Sequence, residues 1–250
     1  MKTMYRVVVM MMAVAALLML SATVYASKDS RIESSAKKSY VFKTYLQADD
    51  IKIQSKDGAV TLTGTVSEES HKSLAQETVA SLPGVKSVDN RLEIKGTPPA
   101  KNSDAWITTK VKTVLLFHRN VSAVTEVNTT GGIVTLRGHA ASGAEKDLTT
   151  EYAKDVEGVK DVKNEMAVGK TGKRKQTVGE KIDDASITAQ VKMTLLYHRS
   201  TSALNTSVAT KRGVVTLSGK AKNAAEKDLA AKYANDVKGV KSVNNQMTIG

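Results

Sequence analysis

The residues able to do acid–base or metal chemistry in this chain are few and poorly spaced for it. The four histidines are His71, His118, His139 and His198. No two stand at the i, i+4 interval that puts both imidazoles on one helical face, and no carboxylate cluster accompanies them, so no metal site is implied. His118 and His198 each close an apolar helical pattern, just before an arginine. Positive charge suits that end of the helix dipole, and capping explains these histidines better than catalysis. There is no cysteine, which removes disulfides, thiolate metal sites and a thiol nucleophile. Serine and threonine are abundant, but none lies in a nucleophile elbow. The adjacent carboxylates Asp49-Asp50, Glu68-Glu69 and Asp183-Asp184 stand beside turns or helix starts, where solvation or N-capping accounts for them. The glycines form neither a GxGxxG nor a GxxxxGK[ST] pattern, so no phosphate loop follows. The chain reads as a non-enzyme without a cofactor.

Binding chemistry is better represented. The sequence holds 37 Lys and Arg against 25 Asp and Glu, a net charge of +12. The excess is concentrated: residues 170–250 carry 15 basic and 6 acidic side chains, while residues 27–169 are nearly balanced. Lys170, Lys173, Arg174, Lys175 and Lys181 begin this basic stretch. Lys192, Arg199, Lys211, Arg212, Lys220, Lys222, Lys227, Lys232, Lys238 and Lys241 continue it. Such asymmetry points to an anionic partner. Each basic residue near an acidic bilayer contributes about 1 kcal/mol, so four or five acting together are enough to matter. A merely solubilising face is the alternative. Trp106, the single tryptophan, falls at the edge of an apolar helical stripe beside Lys110, an arrangement that can anchor at a lipid interface. The candidate lipid-binding set is therefore Trp106, Lys110, Lys192, Arg199, Lys211, Arg212, Lys220 and Lys222. Nucleic acid is disfavoured as a partner, because aromatics make up only 4% of the chain, too few for a base-stacking platform.

The N-terminus bears on the compartment. Lys2 and Arg6 precede an unbroken apolar run from Val7 to Leu20, and Val24-Tyr25-Ala26 offers a cleavage site. This is the layout of a secretory signal peptide cut after Ala26. The run is short for a membrane span, which needs about 20 residues. A periplasmic protein is expected.

Positioning falls to a repeated unit. Gly58-Ala-Val-Thr-Leu-Thr-Gly64 returns as Gly132-Ile-Val-Thr-Leu-Arg-Gly138 and as Gly213-Val-Val-Thr-Leu-Ser-Gly219. Twenty residues after each closing glycine stands Gly84, Gly158 or Gly239, opening a Gly-Val-Lys-x-Val-x-Asn stretch. Two motifs at one spacing in three copies mark a tandem repeat. In the second copy Ile107, Val111, Val114, Leu115 and His118 recur at helical spacing, with Asp104 as candidate N-cap. Val124–Val127 and Ile133–Leu136 read as a hairpin. Ala144 to Val156 reads as a second helix ended by Glu157-Gly158, and Val159 to Val168 as a third strand. Gly64, Gly138 and Gly219 are expected to end strands, and Gly84, Gly158 and Gly239 to end helices. Lys211 and Arg212 replace Thr130 and Gly131 at the hairpin tip of the third copy. In the first copy the opening helix, Arg31 to Tyr45, has diverged.

The fold class is α+β: three tandem αββαβ modules, each a three-stranded mixed sheet packed on two helices. The units are a signal peptide (1–26), module one (27–97), a linker (98–103), module two (104–169), a basic linker (170–183) and module three (184–250). The proline-containing linker is expected to fix modules one and two more firmly than the longer basic linker fixes two and three. The two repeated motifs together resemble the BON family, above all its OsmY-like periplasmic members. That resemblance implies the αββαβ fold, no catalysis, and association with phospholipid or envelope structures. Lipid-anchored DolP-type members carry a cysteine that is missing here. The expected function is binding at the phospholipid interface in envelope integrity or osmotic stress. The alternative is a soluble chaperone or scaffold for exported proteins, with envelope or outer-membrane proteins as partners.

Overall fold

The computed structural model describes residues 28–121, 126–169, 181–201 and 206–250. The expected signal peptide and most of the basic linker lie outside the described residues.

Module one begins with helix α1 (28–38) and a short α2 (Tyr40–Thr44). Strands β1 (Asp50–Lys56) and β2 (Ala59–Val66) follow, then α3 (Glu69–Ala80) and β3 (Ser87–Ile94). β2 is central, antiparallel to β1 and parallel to β3. Module two repeats the order with α4 (Asp104–Phe117), β4 (Glu126–Thr130), β5 (Ile133–Arg137), β6 (His139–Ala140), α5 (Gly143–Lys154), β7 (Asp161–Asn164) and β8 (Ala167–Val168). Module three has α6 (Asp184–Tyr197), β9 (Thr206–Lys211), β10 (Val214–Ala221), α7 (Ala224–Asn235), β11 (Ser242–Asn245) and β12 (Thr248–Ile249). Each sheet alternates along its central strand. Val60 and Leu62, Val134 and Leu136, and Val215 and Leu217 are all buried beneath the helices. The α+β class and the three mixed sheets are as the repeat implied.

Several local expectations are corrected. Asp104 is not the N-cap of α4; Ser103 fills that role, accepting from the Trp106 N–H. The Asp104 carboxylate instead accepts from the N–H groups of Gly131 and Gly132, each at 2.8 Å. Asp184 does the same for Arg212 and Gly213, and Asp29 for Asp57 and Gly58. One carboxylate at the start of each first helix thus staples the hairpin tip to the helix. The tips need it, because both central residues of each turn have positive φ: Asp57-Gly58, Gly131-Gly132 and Arg212-Gly213. This is the type I′ geometry that matches strand twist. Gly64 and Gly219 lie inside β2 and β10 rather than at their ends. At Gly64, φ is +114° and an added Cβ would lie 2.0 Å from the Asp50 carbonyl oxygen, so the close approach of β1 demands glycine. Helix α5 ends at Lys154 with Asp155 as cap, ahead of Gly158, and α3 and α7 stop at the equivalent residues Ala80 and Asn235. The third strand of modules two and three is split. Asn164 and Asn245 stand at the break and bond to helix carbonyls at Lys146 and Lys227, as Asn90 does to Lys72 in the unbroken β3.

The modules pack together. Helix α6 is buried around nearly its whole circumference, from Ala185 to Val191 and at Met193, Thr194, Leu195 and Tyr197. Even its polar residues Ser186, Thr188, Gln190 and Thr194 are buried, because elements of the other two modules pack against it. Its N-terminal turn receives module one: the Tyr40 and Val41 N–H groups donate to Asp183 Oδ2 and Ser186 Oγ at 2.8 and 3.1 Å. Helix α3 lies along α6, with Lys192 Nζ 2.8 Å from Glu77 Oε2.

Candidate functional site: the basic surface and the contact between modules two and three

The polar centre of the molecule lies where modules two and three meet, and it is nearly two-fold symmetric. The cap residues of α4 and α6, His118 and His198, face each other with Nε2 atoms 3.4 Å apart. Each imidazole stacks on a tyrosine of its own module, His118 on Tyr152 at 3.8 Å and His198 on Tyr233 at 4.0 Å. Each tyrosine then donates across the interface, Tyr152 to Asp236 at 2.6 Å and Tyr233 to Asp155 at 2.8 Å. The backbone repeats the exchange: the Arg119 N–H donates to the Asp236 carbonyl and the Arg199 N–H to the Asp155 carbonyl, both at 2.8 Å. His118 forms a bridge with Val237, and Val156 with His198. The Arg119 guanidinium collects the carbonyls of Asn235, Val237 and Val240. This is an isologous contact built from the same residue set on both sides.

Its electrostatics correct the sequence reading of the histidines. Burial, reinforced by the neighbouring His198, pushes His118 down to about 3. It is a neutral interface residue, not a cation at a helix end. Burial raises the Asp155 carboxyl, but hydrogen bonds from His198, Ser200 and Tyr233 outweigh it, and the net shift is downward. Desolvation and the adjacent carboxylates raise both tyrosines. His118 is therefore neutral and Asp155 ionised near neutrality, and Tyr152 and Tyr233 keep the protons they donate across the interface.

The expected looseness of the junction between modules two and three is thus overturned: these two share the polar core. Linker composition does not report on contacts made elsewhere in the chain. The recurrence of His-Arg at 118–119 and 198–199, with Tyr-Ala-x-Asp-Val at 152–156 and 233–237, was the available signal. Module one has Thr-Val-Ala-Ser-Leu at 78–82 instead. Residues common to two copies and missing from the third mark an interface rather than the fold.

The candidate lipid-binding residues divide into three groups. Trp106 is half-buried and Lys110 Nζ sits 3.7 Å above its ring, while also reaching Glu157 Oε2 at 3.0 Å. Burial lowers the Lys110 pKa against the pull of Glu157. Lys192 and Arg199 are engaged between modules, Lys192 with Glu77 and Arg199 with Asp155 at 3.6 Å. Lys211, Arg212, Lys220 and Lys222 are exposed, and none forms an ion pair among the described residues. They lie at opposite ends of β10, roughly 25 Å apart at about 3.3 Å per residue. An exposed apolar side chain lies near each pair: Val214 is the register partner of Lys211, and Ile249 that of Ala221, which stands between Lys220 and Lys222. Among the described residues, no helix is long and apolar enough to cross a membrane. No cluster of three or more His, Asp or Glu side chains there fits a metal ion.

Residues 28–96, 103–170 and 183–250 each match the BON domain model. The chain belongs to the BON family. It is 36% identical over 147 residues to the osmotically-inducible protein Y of Escherichia coli, covering 58% of this chain and 71% of that protein. It is 34% identical over 140 residues to an uncharacterized protein in the gshII 5′ region of Anaplasma centrale, covering 56% and 90% respectively. Among solved structures, CdsD, a structural protein of the type III secretion system of Chlamydia trachomatis, aligns over 88% of this BON chain and 90% of its own, with 16% identity and a TM-score of 0.25.

Proposed function

We propose that this BON protein is exported to the periplasm and binds anionic phospholipid surfaces through module three, without catalysis, in support of the envelope under osmotic stress. The observation that carries this reading is the pairing of uncompensated cations with exposed apolar side chains: Lys211 and Arg212 with Val214, and Lys220 and Lys222 with Ile249. Cations draw the surface to an acidic bilayer, and the apolar tips enter the headgroup region. Likeness to an osmotically inducible protein supports the setting, and the signal-like N-terminus supports export. Because the two pairs lie at opposite ends of one strand, they can be tested apart. Reversing Lys211 and Arg212 to glutamate, and separately Lys220 and Lys222, followed by vesicle co-sedimentation, identifies the contact. Loss of binding in neither double variant removes this reading.

A second reading, a chaperone or scaffold for exported proteins, is favoured by one feature. A cleft of about 220 Å³ opens between modules one and two, floored by Leu74, Leu115, Leu116, Phe117 and Val127. It is smaller than the roughly 300–1,000 Å³ of small-molecule sites and suits one or two side chains of a client. Suppression of outer-membrane protein aggregation without vesicles, lost in Leu116→Asp, is its test.

A further inference from the structure

The same surface recurs in all three modules, where the first helix meets the turn at Gly84, Gly158 or Gly239, and in two of them it is covered. In module two the Trp106 ring lies 3.5 Å from where a Cβ on Gly158 would stand, and Lys110 closes over the ring. In module three Ile182 and Ile187 press on Gly239, and the Ser186 hydroxyl accepts from α2 of module one. Among the described residues of module one neither cover is present. Arg31 stands where module two has Trp106, Ser35 where it has Lys110, and a Cβ on Gly84 would meet only Ile32, at 3.6 Å. What remains is a cleft of about 470 Å³ lined by Arg31, Ile32, Ser35, Pro83, Gly84 and Lys86, within the roughly 300–1,000 Å³ of small-molecule sites.

Its chemistry is specific. Ile32 is buried and gives an apolar floor. Arg31 and Lys86 are exposed at its edge. Two acids also face it. Asp29 is saturated, accepting from Ser55 Oγ at 2.6 Å and from the N–H groups of Asp57 and Gly58. Asp57 sits exposed in the turn itself. Guanidinium groups stack on aromatic faces and also pair with planar acids, so Arg31 suits both halves of one ligand.

We propose that this cleft binds a small aromatic anion, its ring over Ile32 and Gly84 where Trp106 lies in module two, its acid group between Arg31 and Lys86. This does not rest on the membrane reading, which concerns module three. The test is calorimetric titration of the mature chain with indole-3-acetate, with neutral indole and inorganic phosphate as separate arms. Saturable binding at one site is expected, roughly tenfold weaker for indole and for phosphate, since each supplies only half of the contact. Arg31→Trp, which rebuilds the cover of module two, abolishes binding, and Arg31→Gln with Lys86→Gln weakens it by roughly tenfold. Lys211→Glu with Arg212→Glu leaves it unchanged. The double glutamine variant decides the matter should Arg31→Trp fail to fold. Absence of binding at millimolar indole-3-acetate overturns the proposal. So does undiminished binding in a folded Arg31 variant, or equal loss in the module-three variant.

Discussion

At the residue scale, the buried imidazole of His118 makes the contact between modules two and three sensitive to acid. Its pKa falls from an ordinary value near 6.5 to about 3 on folding. The unfolded chain therefore binds a proton that the folded chain refuses. The stabilisation is complete above about pH 6.5 and declines as pH falls towards 3, at about 1.4 kcal/mol per pH unit for this group. Urea unfolding at pH 6.5 and 5, before most carboxylates titrate, measures the slope. His118→Phe, which keeps an aromatic ring against Tyr152, is expected to flatten it; an unchanged slope would assign the acid sensitivity elsewhere. Asp155 is the counterpart on the acidic side. Asp155→Ala strands the Tyr233 hydroxyl and its neighbours, and a loss of about 3 kcal/mol is expected by denaturant titration, the usual scale for breaking a buried charged network. None of this was legible in either residue alone. His118 at a helix end reads as a solvated cap because burial by another module leaves no mark in local spacing.

At the scale of elements, the helices and central strands were largely readable, because their apolar periodicity and glycine punctuation come from local geometry. β5 and β10 appear where Ile-Val-Thr-Leu and Val-Val-Thr-Leu predicted them. The errors concern long-range partners. Gly64 reads as a strand end, yet the strand passes through it, held against the Asp50 carbonyl. Gly64→Ala meets both a positive φ and a backbone clash, so a loss of more than about 2 kcal/mol is expected in chemical unfolding. Asp104 reads as a cap by residue type, but its carboxylate is spent one element away on the hairpin tip. Asp104→Ala removes two charge-assisted bonds at an exposed turn and should lower the denaturant midpoint of unfolding. Retention of full stability would show that the type I′ turn holds without its staple.

At the scale of the whole molecule, three thin modules of about 70 residues, a size at which cores are marginal, pack around α6, and modules two and three also share a symmetric polar interface. A single cooperative unfolding transition is expected for modules two and three, and small-angle scattering should show one compact particle rather than modules on flexible tethers. An extended profile would contradict the observed packing. Tyr152→Phe combined with Tyr233→Phe removes both cross-module donors and should split or broaden the transition.

The same packing leaves Lys211, Arg212, Lys220 and Lys222 exposed while drawing Lys192, Arg199 and Lys232 into ion pairs with other modules, so the proposed membrane contact falls to the first four. The decisive measurement is co-sedimentation of the mature protein with phosphatidylglycerol vesicles and with purely zwitterionic vesicles, at low and at moderate salt. Selective binding to the anionic vesicles, weakened by salt as surface charges are screened, is the predicted result. Equal behaviour with both vesicle types, or no binding at low salt, would contradict a membrane role for module three.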